Sequence, residues 1–497
     1  MTTLNHVNNN NSNKFILLIL VFVICNSSNY CLTNANVDNY GEYREEGHQT
    51  HTTHVVTSLL DSITHDSVCD SSPKGRGPNS VRLSHKHGPC SALDSQLTSR
   101  LTHVEILDHD EDRVNSIRNR VRPNLAQVDK VRPVGQKAVV LPAKSGTTIG
   151  SGNYIVTVGL GTPKKDLSLI FDTGSDFTWT QCAPCTKSCY QQQDPVFNPK
   201  ESTTYTNITC SSQLCSDVSA ATSASPGCSS TTCIYGIQYG DSSFSIGFFA
   251  KDTLTLGSGS YVPNFYFGCG EDNQGLFGGS AGLLGLGRNK LSAVSQSAST
   301  FGNYFSYCLP SKSTSTGHLT FGRGGTTSKV IKYTSLMTSS AGPSFYFVDF
   351  QGISVGGSKL AISPSVFSSG GTLIDSGTVI TRLPSDAYTA LQSAFSKAMS
   401  KYPTAPALSI LDTCYDLSSY TTVSVPKVSL LFGGGASLDL PVTGILYVKD
   451  LSQVCLAFAG NEDAGDVAII GNVQQTTFDV LYDVAGGKVG FGAGGCL

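Results

Sequence analysis

Histidine is nearly missing from the second two-thirds of this chain: nine of the ten lie before residue 110, and only His318 follows. A Ser-His or Cys-His nucleophile, or a His-rich zinc site, would have to be assembled around that one residue. Tryptophan occurs once, at 179. Long apolar runs are lacking too. The stretch 15–25 stops at 11 residues, too short for a membrane span, and behind Lys14 it fits the core of a secretory signal peptide over 1–30. The Asn-rich leader leaves a plastid transit peptide as the rival, although those are Ser/Arg-rich amphipaths without such a run. Net charge is only −3, but residues 70–145 hold 13 Lys/Arg against 8 Asp/Glu and residues 146–497 hold 18 against 22.

What is present is a repeated triplet. Asp172-Thr173-Gly174-Ser175 returns 203 residues later as Asp375-Ser376-Gly377-Thr378, and Asp-Thr/Ser-Gly occurs nowhere else. Each copy follows an apolar run. A strand ending in this triplet holds a carboxylate at the tip of a tight loop, where glycine permits close approach and the hydroxyls can hydrogen-bond the carboxylate and the opposite loop. Two such loops face to face give a carboxyl pair that shares one proton, because like charges that close do not both ionise cheaply. The ionised member can deprotonate a water while the protonated one polarises a carbonyl. Such a pair needs no histidine, metal or cofactor.

Each aspartate has an apolar-apolar-Gly partner downstream: Leu283-Leu284-Gly285 and Ile469-Ile470-Gly471, at separations of 113 and 96 residues. Between Asp172 and Gly285, the run Tyr239-Gly240-Asp241-Ser242-Ser243 has the composition of a hairpin tip. From Gly152 onward, short alternating runs with Gly-rich turns predict a mostly β protein. The best helical pattern there covers 385–402, with Ala387, Leu391, Phe395 and Met399 four apart.

With these motifs in hand, residues 152–497 resemble the pepsin-type aspartic proteases, within them the nepenthesin-like plant branch. The resemblance implies a bilobal, mostly β fold with two barrel-like lobes and a cleft between them. It implies strands ending at Gly285 and Gly471 that thread behind the Asp172 and Asp375 loops. Tyr239, Gly240 and Asp241 become a flap over the substrate, with Trp179 donating a hydrogen bond to Tyr239. Thr173 and Ser376 would cross-brace the loops, and Ser175 and Thr378 would bond the outer carboxylate oxygens. Relatives commonly carry Gly where this chain has Ser242. The domains follow: 1–30 signal peptide, 31–145 prosegment, 146–335 N-terminal lobe with flap and Cys-rich insertion, and 336–497 C-terminal lobe.

Of 16 cysteines, 12 fall in the enzyme part, an even number that behind a signal peptide reads as disulfides. The symmetric spacing of Cys210, Cys215, Cys228 and Cys233 suits nested bridges Cys210–Cys233 and Cys215–Cys228. Carried over from the resemblance are Cys182–Cys185, Cys189–Cys269, Cys308–Cys496 and Cys414–Cys455. A metal cluster at Cys182, Cys185 and Cys189 lacks a fourth ligand. Asn207-Ile208-Thr209 is a glycosylation sequon.

The prosegment is read as polar, solvated sequence around His48, His51, His54 and His65, then a helix over 93–121 carried by Leu93, Leu97, Leu101, Val104 and Leu107. This basic segment is expected to cover the acidic cleft at neutral pH as an intramolecular inhibitor, with His85, His87, His103 and His109 adding charge on acidification; a charged helix that only aids folding is the alternative. The expected protein is a monomeric acid endopeptidase acting on polypeptides, secreted or vacuolar. Two rivals stand beside it: a non-catalytic inhibitor of the same fold such as the xylanase-inhibitor proteins, and a chloroplast nucleoid protease that contacts DNA through basic residues 113–137. Both triads, the flap Tyr and Trp179 are present, which disfavours the first. The basic stretch lacks interleaved aromatics, which disfavours DNA as a partner.

Overall fold

The computed structural model describes residues 50–62, 69, 78–86, 88–93, 102–121, 154–240, 242–257, 259–275, 277–463 and 465–496. The signal segment, His48, His65, His87, Cys25, Cys31 and Asp241 lie outside them. Strands dominate, as the alternating runs predict.

The first strand, β1 (His51–Val55), corrects the reading of its neighbourhood as solvated and structureless. It pairs antiparallel with Thr422–Pro426, His54 opposite Val423. Val56 and Leu59, just after it, are buried. Two apolar residues in a polar stretch give little periodic signal, and the partner strand Thr422–Pro426 comes from the far half of the chain.

A second strand from the expected prosegment, β2 (Ser80–His85), is interior to the main sheet. The helix α1 (His103–Val121) follows. The hairpin of β3 (Tyr154–Leu160) and β4 (Lys165–Asp172) sets Ile155 opposite Ile170. One side of β2 pairs with β3, Leu83 opposite Val156, and the other with Thr316–Phe321, Arg82 opposite His318. From there the sheet runs through Tyr304–Cys308, Asp479–Asp483 and Lys488–Gly492 to Lys332–Met337, so it contains strands from both halves of the chain. An alternating burial pattern cannot reveal which strands are neighbours, and β2 reads no differently from an edge.

Helix α1 corrects the expected register. Its buried positions are Leu107, His109, Asp110, Val114, Ile117 and Val121, whereas Val104 is exposed and Leu93 lies in a bend before the helix. Leu97 and Leu101 fall outside the described residues. The helix buries charged groups as well as apolar ones, so an apolar count misplaces its face. In the C-terminal half Ser385–Ala398 is helical, with Ala387, Leu391 and Phe395 buried, and Met399 follows at its cap.

The disulfides also differ from expectation. Cys182 is bonded to Cys269 and Cys185 to Cys189, not Cys182–Cys185 and Cys189–Cys269. The strand Trp179–Gln181 runs parallel to Gly268–Gly270, Thr180 opposite Cys269, which brings buried Cys182 beside buried Cys269 and leaves the surface pair to each other. In the insertion the bridges are Cys210–Cys228 and Cys215–Cys233, not nested. Buried Cys215, on the helix Gln213–Thr222, reaches buried Cys233, and the two half-buried cysteines are left to pair. Cys308–Cys496 and Cys414–Cys455 are present, and Cys69–Cys90 adds a bridge in the segment ahead of α1.

Peptide mapping under non-reducing conditions should recover fragments linking Cys182 to Cys269 and Cys215 to Cys233. Fragments linking Cys215 to Cys228 would contradict this arrangement.

Candidate active site

Both triplets fold the way their composition suggests, and they meet. Strand β4 ends at Asp172, and Gly282–Gly285 lies parallel beside it, Gly285 opposite Asp172. The second half repeats the arrangement: Thr372–Ile374 lies parallel to Ala468–Ile470, Ile374 opposite Ile470. Leu286 N–H donates to the Asp172 carbonyl at 2.9 Å and Asp375 N–H to the Ile470 carbonyl at 3.1 Å. A Cβ on Gly285 would stand 2.4 Å from the Asp176 backbone, and one on Gly471 would stand 2.5 Å from the Val379 carbonyl oxygen. These contacts account for glycine at both positions.

The loops are locked to one another. Ser376 N–H donates to Thr173 Oγ1 at 2.8 Å, and Thr173 N–H donates to Ser376 Oγ at 3.1 Å. Gly174 N–H donates to Asp172 Oδ1 at 2.9 Å, Gly377 N–H to Asp375 Oδ1 at 3.2 Å, and Thr378 Oγ1 to Asp375 Oδ2 at 2.6 Å. The matching Ser175 hydroxyl is buried beside Asp172 and forms no hydrogen bond of good geometry, although its proximity still favours the ionised Asp172. A Cβ on Gly174 would fall 2.7 Å from Asp375 Oδ1 and one on Gly377 would fall 2.6 Å from Asp172 Oδ1. Only glycine lets the two loops come this close.

Between the carboxylates lies Arg113 of α1. Its Nη2 donates to Asp172 Oδ1 at 2.6 Å and to Asp375 Oδ2 at 2.8 Å, and its Nε to Asp375 Oδ2 at 2.9 Å. Burial works against the guanidinium charge, but the two carboxylates outweigh it and raise the Arg113 pKa. Burial alone would push Asp172 up; Arg113 and the Gly174 N–H outweigh it, and the net shift is downward.

The rest of α1 is tied down over the same cleft. Asp110, fully buried, accepts from Val379 N–H at 2.6 Å and Ile380 N–H at 2.9 Å, and Arg382 Nη1 lies 3.0 Å from it. Arg120 donates to the Gly174 carbonyl at 3.1 Å and stacks over Phe345. Arg118 bonds Asn461 and lies 3.3 Å from Asp466. A cleft of about 520 Å³ remains among α1, residues 237–240 and residues 341–345.

The hairpin strands Thr232–Gln238 and Phe244–Leu256 place Tyr239, expected as a flap residue, at the tip. Trp179 Nε1–H donates to Tyr239 Oη at 2.8 Å. The tip packs on α1, since a Cβ on Gly240 would meet Ser116 and the Asp112 carbonyl. Ser242 adopts φ +66°, the left-handed region that glycine enters without penalty. Asn207 is exposed on a short edge strand, its Oδ1 accepting from Tyr205.

Several supporting residues were invisible in sequence. Gln475 donates to the Asp375 carbonyl at 3.1 Å and Asn472 to the Ser376 carbonyl at 3.0 Å. Asp110 was read only as part of a charged helix, and Arg113 as part of that helix and of the basic stretch 113–137. Their spacing of three does put them on one face, but no local pattern says what that face meets.

The family described as xylanase inhibitor N-terminal matches residues 154–323, and xylanase inhibitor C-terminal matches 345–493. An aspartyl protease family protein of Arabidopsis thaliana is 53% identical over 481 residues, covering 97% of this chain and 98% of that protein. Aspartyl protease AED1 of Arabidopsis thaliana is 48% identical over 487 residues, with 97% and 99% covered. Aspartic proteinase nepenthesin-2 of Nepenthes gracilis is 40% identical over 352 residues, with 69% and 77% covered. Among solved structures, basic 7S globulin from soybean superposes with a TM-score of 0.54 at 22% identity, over 69% of this chain and 91% of that one. At that identity the likeness concerns the fold.

Thr173→Val keeps the shape but leaves the buried Ser376 N–H without its acceptor. It should lower stability by about 1–3 kcal/mol, read as a lower urea midpoint; an unchanged midpoint would deny the cross-brace any structural weight.

Proposed function

The chain belongs to the pepsin-like aspartic proteases of plants and is an aspartic-type endopeptidase, and we propose that Asp172 and Asp375 carry its chemistry through one shared water, in an enzyme made as an acid-activated zymogen. The observation that carries this reading is the single nitrogen, Arg113 Nη2, within hydrogen-bond distance of both carboxylates. That nitrogen stands in for the oxygen of a water molecule. With Arg113 withdrawn, a water at the same point can hydrogen-bond both acids.

Two carboxyls at that separation share one proton. The ionised member takes a proton from the water while the protonated member hydrogen-bonds the peptide carbonyl oxygen and gives up its proton as the oxygen gains charge. The C–O bond forms, producing a tetrahedral intermediate. Collapse of that intermediate breaks the C–N bond: the acid that took the proton from water delivers it to the leaving amine, and the other, now ionised, takes back a proton from the gem-diol as the new carboxyl forms. Tyr239, tied to Trp179, is suited to close over the peptide and exclude bulk water.

Arg113 gives the prosegment its inhibitory role. In the latched state the Asp172 pKa is lowered, so this ion pair stabilises the latch above the free carboxyl's pKa. The contribution is lost as pH falls through the lowered one. Asp110 works in the opposite direction: burial raises its pKa, ahead of the opposing pull of Arg382 and the two N–H groups, so its protonation does not drive release. The acid trigger therefore sits at Arg113 and the aspartate pair. A secreted or vacuolar location suits an enzyme with this trigger and these disulfides. A role as an inhibitor or DNA-binding relative is not needed to explain any residue of the cleft.

Acid-treated protein should hydrolyse denatured globin with pepstatin sensitivity, and Asp172→Asn should abolish that activity; residual activity in the variant would point to other chemistry. Arg113→Gln removes one partner of a buried pair, a loss of about 3–5 kcal/mol. The pH of half-maximal processing, followed by gel, should move upward in that variant, and an unmoved midpoint would remove Arg113 from the trigger.

A further inference from the structure

Arg382 is 1% exposed, and nearly all that pairs with it belongs to the prosegment helix. Its Nη1 lies 3.0 Å from Asp110 Oδ2, and Nη2 and Nε donate to Glu111 Oε2 at 3.0 and 3.2 Å. Among the described residues, the one side-chain partner it takes from the enzyme part is the Ile380 carbonyl, at 2.8 Å. The backbone around it fixes the guanidinium at the cleft wall: Arg382 pairs with Ile469 on one side and Ala459 on the other. Five residues upstream in the same segment is Gly377 of the second triplet.

Departure of α1 would strip two carboxylates from a guanidinium that the fold holds in place. It would also free the N–H groups of Val379 and Ile380, which Asp110 now occupies. What remains is a cradle of one planar, permanently charged fork and two backbone donors, the donor set that a carboxylate satisfies. An arginine left alone in such a wall is costly, and a returning carboxylate restores the pair.

We propose that this cradle is a specificity site, in which Arg382 selects an acidic side chain, Asp or Glu, in the peptide substrate. This rests on the protease reading given above. Asp110 precedes Arg113 by three residues, about 4.5 Å along a helix axis. An extended peptide advances about 3.3 Å per residue. The selected side chain therefore lies within two or three residues of the cleaved bond, and the prosegment inhibits partly by presenting the acid that the cleft is built to bind.

The test uses acid-treated full-length protein and matched peptides carrying Glu or Gln at one position at a time on both sides of the cleaved bond. At one position the Glu peptide should have a kcat/KM about tenfold above its Gln partner, mainly through KM. That ratio should fall toward one as the pH drops below the free Glu pKa of about 4.3. Arg382→Gln should bring the ratio to one at all pH values, and Arg382→Lys should restore part of it. Should Arg382→Gln fail to fold, the wild-type ratio and its pH dependence decide. A ratio near one at every position, or one unchanged in Arg382→Gln, overturns the inference while leaving the protease reading intact. Cleavage of neither member of any pair overturns both.

Discussion

Two carboxylates brought this close need a positive charge or a proton between them. At about 4 Å and an effective dielectric of about 20, their repulsion is near 4 kcal/mol, comparable to a large part of a domain's net stability. Every nearby feature answers to that constraint. The Gly174 and Gly377 N–H groups and the Thr378 hydroxyl donate to the acids. The mutual hydrogen bonds of Thr173 and Ser376 keep the loops from separating under the repulsion, and Arg113 supplies the compensating charge.

In the zymogen reading proposed above, the same requirement would join inhibition to chemistry. A guanidinium can neutralise the pair without a proton, which suits neutral pH; a shared proton would neutralise it in acid, where Arg113 would no longer be needed. Residues 51–121 do more than supply Arg113. Through β2 they form an interior strand of the sheet that joins both halves of the chain, and through β1 they make a two-stranded sheet with Thr422–Pro426. Their removal, as the zymogen reading proposes, would disturb the sheet as well as the cleft. The contact proposed as the acid trigger lies on α1, whose other anchors include the ion pairs of Asp110 with Arg382 and Arg118 with Asp466.

How much of this was legible depended on whether the signal was local. Asp172 and Asp375 stood out because a tight loop needs the same four residue types in both halves, and the supporting strands at Gly285 and Gly471 stood out for the same reason. The hydrogen bond from Trp179 to Tyr239 was expected from resemblance, and the two residues do meet. The disulfides were misassigned wherever several cysteines crowd one stretch. Spacing measures loop length, whereas pairing follows which sulfurs are buried together, as with Cys215 and Cys233. Helix α1 was expected as a basic cover, but its apolar register differs because His109 and Asp110 take part in its buried face.

The sequence by itself determined that two Asp-Thr/Ser-Gly loops exist, that each has its own apolar-apolar-Gly strand, and that no histidine system competes with them. These are properties of short segments, set by backbone geometry and hydrogen-bonding groups within a few residues. Tertiary structure alone decided that Arg113 rather than another of the basic residues enters the pair, that Asp110 and Glu111 face Arg382, and that β2 lies between β3 and Thr316–Phe321. Each of these joins residues far apart in the chain, 262 positions in the case of Arg113 and Asp375. Such contacts are selected by which surfaces remain to be covered once the local elements have formed.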